Sequence, residues 1–254
     1  MSKSNHFAST KLILMSRLPI LMYHNVCADL SSAKNLTIAV ETLEQHFKFL
    51  ADNDYKTFHF SELEALKKNK SLPKKSAIIT FDDVYVNQLE FAYPLLEKYG
   101  LKASFFIPFA YVNGMDLWNT NLENIMSVEQ LKSLNSEVVE LGLHSFKHKK
   151  YNELSNEEVI QDFESCQQFI YEHKLEVHNV LAYPYGKFPR KNPEKFTFFN
   201  TLNNFNIAYG LRIGNRVNQF PFKNNYQIQR IDIKGEDTLA KFKLKLRYGK
   251  LRLF

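Results

Sequence analysis

The sequence predicts an α/β fold in one domain, built around a largely parallel sheet. Short apolar runs rich in β-branched and aromatic residues alternate with longer segments of helical period, the pattern of βα units. The chain has 254 residues, 44% of them hydrophobic, enough to bury one large core and a length common for a single α/β barrel. No internal repeat, low-complexity linker or clear domain boundary interrupts the alternation.

In chain order the expected strands are "PILMYHNV" (19–26), "SAIITF" (76–81), "KASFFIP" (102–108), "EVVELGLHS" (137–145), "HNVLAYP" (178–184), "FNIAYGL" (205–211) and "YQIQRIDI" (226–233). Each is a short apolar run bounded by polar or turn residues. Between them, Leu43, Phe47 and Leu50 recur at helical spacing. Ser127 with Gln130 and Ser155 with Glu158 read as capping boxes opening helices. Pro94 belongs at the start or kink of a helix, because its ring cannot sit in a helix interior without loss of a hydrogen bond. The tail "AKFKLKLRYGKLRLF" alternates basic and apolar residues from Lys241 to Arg247, a period of two that predicts an edge strand defended by lysines. The segment before Pro19 and the tail after Asp237 read as peripheral.

Composition limits the function classes. The segment "KLILMSRLPILMYH" is broken by Ser16, Arg17 and Pro19, well short of the roughly 18 apolar residues of a membrane span. It also lacks the small-residue cleavage site of a secretory signal. Cys27 and Cys166 make no CxxC pair and no disulfide framework, so a reducing, cytoplasmic setting is expected. The net charge of +6 favours anionic surroundings, whether membrane surface, acidic glycan or nucleic acid, but no nucleic-acid-binding signature accompanies it. The basic tail offers a weak electrostatic contact with an anionic membrane.

Four features carry chemistry. "SAIITFDDVY" places Asp82 and Asp83 at the end of an apolar run, where a barrel enzyme keeps its reacting groups and where an aspartate also commonly caps the next helix. "LGLHSFKHKKY" puts His144 and His148 four residues apart at a strand exit, so both imidazoles can converge on a zinc ion or stand in a solvated lysine-rich loop. "AYPYG" makes a sharp turn after a strand, and turn amides can face a developing oxyanion. His24 closes the first expected strand, a common place for a buried core histidine.

The order of these features and their shared place at strand ends resemble the polysaccharide deacetylases, the family-4 carbohydrate esterases with a NodB homology domain. Thr80–Asp83 is similar to the family's first motif, His144-Ser145-Phe146-Lys147-His148 to its H-[ST]-x-x-H second motif, and Pro184-Tyr185-Gly186 to the core of its third. The "YH" strand at 21–26 and "YPYG" resemble the circularly permuted branch of poly-N-acetylglucosamine deacetylases. The resemblance implies a distorted (β/α) barrel of about seven strands over residues 19–237, with 1–18 as an N-terminal extension and 238–254 as a basic C-terminal tail. It also implies a metal-dependent hydrolase that removes N-acetyl groups from an amino-sugar glycan or saccharide precursor and releases acetate. An O-acetyl esterase or a catalytically weakened glycan-binding member are the alternatives.

Carried onto this chain, the resemblance makes Asp83, His144 and His148 the ligands of Zn2+ or of another divalent ion such as Co2+ or Ni2+. It makes Asp82 the general base, Tyr185 the donor of a backbone N–H to the oxyanion, and His24 the acid that protonates the departing amine. Two departures stand out. Val84 replaces the glycine that usually follows the first motif, and a β-branched residue disfavours positive φ and would narrow the approach to the metal. Ala182 stands where many members carry an arginine that orients the base. Arg230 is the candidate substitute, or else a surface arginine pairing with Asp232. Trp118, the chain's single tryptophan, would either stack on a sugar ring or pack.

Overall fold

A computed structural model describes residues 15–69, 72–120 and 122–250. Seven parallel strands close into a barrel: β1 (Ile20–Tyr23), β2 (Ser76–Asp82), β3 (Ala103–Ile107), β4 (Val139–Leu143), β5 (Val180–Ala182), β6 (Tyr209–Ile213) and β7 (Ile228–Asp232). Their order around the barrel is β1-β7-β6-β5-β4-β3-β2, and β1 closes on β2 with Ile20 opposite Ile78 and Tyr23 opposite Phe81. Lys56–Thr57 adds a short parallel strand outside β2. Seven α-helices among the described residues pack outside: α1 (Val40–Asp52), α2 (Phe60–Asn69), α3 (Tyr93–Tyr99), α4 (Val128–Ser133), α5 (Asn156–His173), α6 (Glu194–Asn204) and α7 (Leu239–Tyr248). No helix among the described residues is long and apolar enough to cross a membrane.

The alternation of side chains along each strand sorts the core into two layers. Ile20, Ile78, Phe106, Val180, Ala182, Leu211 and Ile228 fill the barrel, whereas Leu21, Ile79, Phe81, Phe105, Leu181 and Ile231 meet the helices. The same alternation sends Thr80 and Asp82 of β2 and Arg230 of β7 inward. All three are fully or almost fully buried near the C-terminal ends of their strands.

All seven expected strands form, five within their expected ranges, while Ser76–Asp82 runs one residue and Tyr209–Ile213 two residues past the expected end. Residues 19–26 divide at His24: Asn25–Cys27 leaves the barrel and pairs with Thr37–Ala39. Of 205–211, only the last residues are extended, because α6 runs to Asn204 and the Phe205 N–H still bonds the Thr201 carbonyl. Both capping boxes are present, at Ser127 for α4 and Ser155 for α5. Pro94 sits in the first turn of α3, after a π-helical turn at Gln88–Ala92. Ahead of Pro19, Ser16–Leu18 pairs antiparallel with Asn218–Phe220, while residues 1–14 lie outside the description.

The tail is a correction. Leu239–Tyr248 is helical instead of an edge strand, and residues 251–254 lie outside the description. Thr238 caps it by accepting from the Lys241 N–H. Phe242 and Leu246, four residues apart, bury one face. The period-2 pattern misleads because Lys245 does not face water: it is 4% exposed, pairs with Asp237 and donates to the Asp232 carbonyl at 2.5 Å. Lys241 also pairs with Asp237, at 2.8 Å. Two of the tail's cations are thus committed internally, and the expected membrane contact gains no support.

Candidate metal centre and active site

The C-terminal rim of the barrel gathers the motifs. At the end of β2 the chain turns sharply, with Asp83 at φ 77° and Val84 at φ 45°. The Asp83 N–H donates to the Phe106 carbonyl, which fixes its carboxylate beside the rim. After β4, Ser145 (φ 67°) and His148 (φ 52°) take left-handed conformations that bend the loop back over the barrel. Asp162 of α5 holds that loop by accepting from the Phe146 N–H at 2.9 Å and from the Tyr151 hydroxyl at 2.8 Å. Tyr185 is a fifth non-glycine residue at positive φ here (56°), and such backbone costs about 1–3 kcal/mol each unless the fold imposes it.

Asp83, His144 and His148 offer ligand atoms that all lie within 4.8 Å of one another. Asp83 Oδ1 is 3.6 Å from His144 Nε2 and 3.4 Å from His148 Nε2, and the two Nε2 atoms are 3.2 Å apart. His144 Nδ1–H donates to the Ala182 carbonyl at 2.7 Å, which leaves the Nε2 lone pair aimed at the cluster. Asp83 Oδ1 is buried and has no hydrogen-bond partner among the described residues. Burial and the neighbouring Asp82 charge push the Asp83 carboxyl well above its ordinary range, against a hydrogen bond from Tyr85. Burial pushes His148 and His144 down, so both imidazoles are neutral. A buried carboxylate and two neutral imidazoles that converge without a cation of their own fit a divalent metal ion.

Asp82 has the opposite surroundings. Burial alone would raise its pKa, but the Arg230 guanidinium beside it outweighs that through its charge and its hydrogen bonds and holds Asp82 ionised, well below the carboxylate range. Arg230 clamps it with two parallel bonds, Nη1 to Oδ1 at 2.5 Å and Nη2 to Oδ2 at 2.7 Å, and Nη1 also reaches Thr80 Oγ1 at 3.3 Å. Arg230 is therefore fully buried and bound to Asp82, not a surface arginine pairing with Asp232. His24 Nε2 lies 3.5 Å from Asp82 Oδ2. Burial lowers the His24 pKa to about 4 despite the pull of Asp82, so His24 rests as a neutral imidazole.

The cluster opens into a cavity of about 300 Å³ whose walls include His24, both aspartates, Trp118, Tyr185 and Ile213. Trp118 is half-buried, with its ring 4.4 Å from that of His148 and edge-on to Tyr111 at 4.6 Å, so it is a cavity wall and also packs. The turn at 184–186 uses the N–H groups of Gly186 and Lys187 to close on the Tyr183 and Pro184 carbonyls, not that of Tyr185. Gly186 is needed there: at φ 64°, a Cβ would meet Ile213 N at 2.7 Å. Val84 does not narrow the approach. Its side chain is fully buried in the outer core, away from the cavity walls, which removes the motive for a binding-only protein.

Sequence reading missed Tyr85, which is buried and lines the cavity together with Asp83 and with Asn119 of the Trp118 loop. It also missed Asp116, fully buried, which shapes that loop by accepting from the Leu122 and Glu123 N–H groups at 2.9 and 3.1 Å. Only the adjacency of Tyr85 to the paired acids could have pointed to it, and nothing marks Asp116.

A closed parallel barrel with three candidate metal ligands and an ionised carboxylate at its C-terminal rim is an arrangement suited to metal-assisted hydrolysis. The model of the polysaccharide deacetylase family matches residues 69–201, and the chain belongs to that family of hydrolases. The Bacillus subtilis protein YxkH, placed by its name in the same family, is 28% identical over 174 residues, covering 68% of this chain and 58% of that protein. A poly-beta-1,6-N-acetyl-D-glucosamine N-deacetylase of Staphylococcus aureus is 26% identical over 216 residues, covering 80% of this chain and 70% of that one. Among solved structures, the Streptococcus pyogenes deacetylase PplD in complex with acetate superposes with a TM-score of 0.75 at 19% identity, over 91% of this chain and 99% of that one. IcaB from Ammonifex degensii gives 0.73 at 20% identity, over 91% and 96%. These likenesses bear out the single-domain seven-stranded barrel.

Proposed function

We propose that the chain is an N-deacetylase that hydrolyses the acetamide of an N-acetylated amino sugar within a saccharide and releases acetate. One observation carries the reading: Asp83, His144 and His148 converge while the adjacent Asp82 is clamped and ionised beside His24, all on one cavity. The names of the staphylococcal relative and of the acetate-bound deacetylase support it.

Asp83, His144 and His148 would hold a divalent cation, for which zinc suits the mixed nitrogen and oxygen donor set. Such an ion, when bound, polarises a carbonyl as a Lewis acid and lowers the pKa of water toward about 7. Asp82, kept ionised by Arg230, takes the proton of the attacking water. The Tyr185 N–H, which its turn does not use, faces the developing oxyanion. His24 delivers a proton to the departing nitrogen. Because His24 rests neutral, it must first gain that proton, and Asp82 Oδ2 at 3.5 Å is the donor within reach.

The test is acetate release from an N-acetylglucosamine oligosaccharide by zinc-loaded protein, with Asp82→Asn beside it. Turnover by the wild type and a loss of roughly two to four orders of magnitude in the variant is expected. No acetate from any N-acetylated saccharide would reject the reading.

A further inference from the structure

Strands β1 and β2 run side by side as far as Tyr23 and Phe81 and then part. Asn25–Cys27 leaves the barrel to pair with Thr37–Ala39, while β2 ends at Asp82 and turns sharply through Asp83 and Val84. His24 and Asp82 face each other across this fork, so their spacing depends on what fills it.

The fork is filled by the start of the π-helical turn at Gln88–Ala92. Gln88 is fully buried, and its side-chain amide donates to the His24 carbonyl at 2.9 Å and to the Asp82 carbonyl at 2.7 Å. Asn87 extends the wedge. Its Oδ1 accepts from the Val26 N–H at 3.0 Å, and its Nδ2 donates to Asn25 Oδ1 and, at 3.1 Å, to Glu123 Oε2 on the Trp118 loop. Single π turns insert a residue into a helix and recur at functional sites.

The two reacting residues depend on this wedge unequally. The Asp82 carboxylate is fixed independently by its two bonds from Arg230. The His24 ring has no such anchor: its Nδ1 is buried without a hydrogen-bond partner among the described residues, and its Nε2 faces Asp82 Oδ2 at 3.5 Å. Its place is set by its backbone, and Gln88 holds that backbone. Gln88 also keeps a buried Oε1 without a partner among the described residues, a cost that filling space alone would not require.

We propose that Asn87 and Gln88 are positioning residues that hold the His24 ring beside Asp82, so that the proton Asp82 takes from water passes to His24 and on to the departing nitrogen. The proposal rests on the deacetylase reading for the roles of His24 and Asp82.

The test compares zinc-loaded wild type with Gln88→Met, which fills the same space without the donor, on an N-acetylglucosamine oligosaccharide and on an activated acetyl ester. The variant should keep its zinc and a KM for the saccharide within about twofold, because neither the ligands nor the cavity walls change. Its kcat for acetate release from the saccharide should fall by about ten- to a hundredfold, the scale for a reacting group displaced by about 1 Å. Ester cleavage, whose leaving group departs without that proton, should fall by less than about threefold. Added to His24→Ala, Gln88→Met should cost little further N-deacetylation, because both remove the same step. Parallel loss on both substrates, unchanged turnover, or additive losses in the double variant overturns the proposal. Should Gln88→Met not fold, Asn87→Ala at its half-buried position decides: a lowered amide-to-ester ratio supports the wedge, and an unchanged ratio overturns it. No acetate from the wild type rejects the deacetylase reading, and a crystal structure of the folded variant then judges the wedge separately. It should show the His24 ring shifted from its 3.5 Å approach to Asp82, and an unmoved ring overturns the proposal.

Discussion

Asp82 is drawn into the barrel and clamped by Arg230, while Asp83, one residue on, is left facing two neutral imidazoles with an unpartnered oxygen. A single peptide bond separates a carboxylate with a built-in cation from one that lacks it. Arg230→Leu leaves the Asp82 charge buried and unpaired, which should cost about 3–5 kcal/mol of stability in urea unfolding. Asp82→Leu in that background should recover much of the loss, because the two effects belong to one interaction. Additive losses would mean that the clamp is not the pair's main energetic link. For His24, an amine leaves poorly unless protonated, whereas an ester alkoxide leaves more readily. His24→Ala should therefore keep metal and fold, lose most N-deacetylation, and retain a larger fraction of activity on an activated acetyl ester. Equal loss on both substrates would remove His24 from the role of acid.

Among the elements, the strands were legible because barrel strands buried on both faces are continuous apolar runs, and the helices because Ser127 and Ser155 carry complete capping boxes. Helix α7 was not legible, because its buried Lys245 looks like a solvent residue until Asp237 and the Asp232 carbonyl are in place. That helix packs on α1, with Phe242 stacked on His46 at 3.9 Å and buried at 0% exposure. Phe242→Ala should cost about 3–5 kcal/mol, measured as a fall in the urea midpoint at unchanged slope. His46 also provides a pH test away from the metal site. Burial lowers its pKa from 6.5 to about 3 against the attraction of Asp237. Between those two values the unfolded chain binds the proton and the folded one does not, so stability falls as pH falls. The contribution is about 1.4 kcal/mol per pH unit. His46→Leu should flatten the stability profile by that slope between pH 6 and 4, and an unchanged slope would show that His46 is protonated in place.

For the whole molecule, the site was readable where chemistry lies in adjacent residues and obscure where the fold supplies it. "TFDD" and "HSFKH" announce their ligands, whereas Arg230 lies 148 residues from Asp82 and meets it only because β7 and β2 flank β1 in the closed barrel. Val84 shows the converse. Its replacement of glycine looks disabling in sequence, yet the strained turn directs its side chain into the core and leaves the cavity clear. The central claim is that the two neighbouring acids divide the work, Asp83 holding the ion and Asp82 moving the proton. The most direct measurement is bound zinc per chain, alongside acetate release, for Asp82→Asn, Asp83→Asn and His148→Ala. The account predicts one zinc retained in Asp82→Asn with turnover down by roughly two to four orders of magnitude, and zinc largely lost from the other two. Equal zinc loss from all three variants would make Asp82 a ligand and contradict the division.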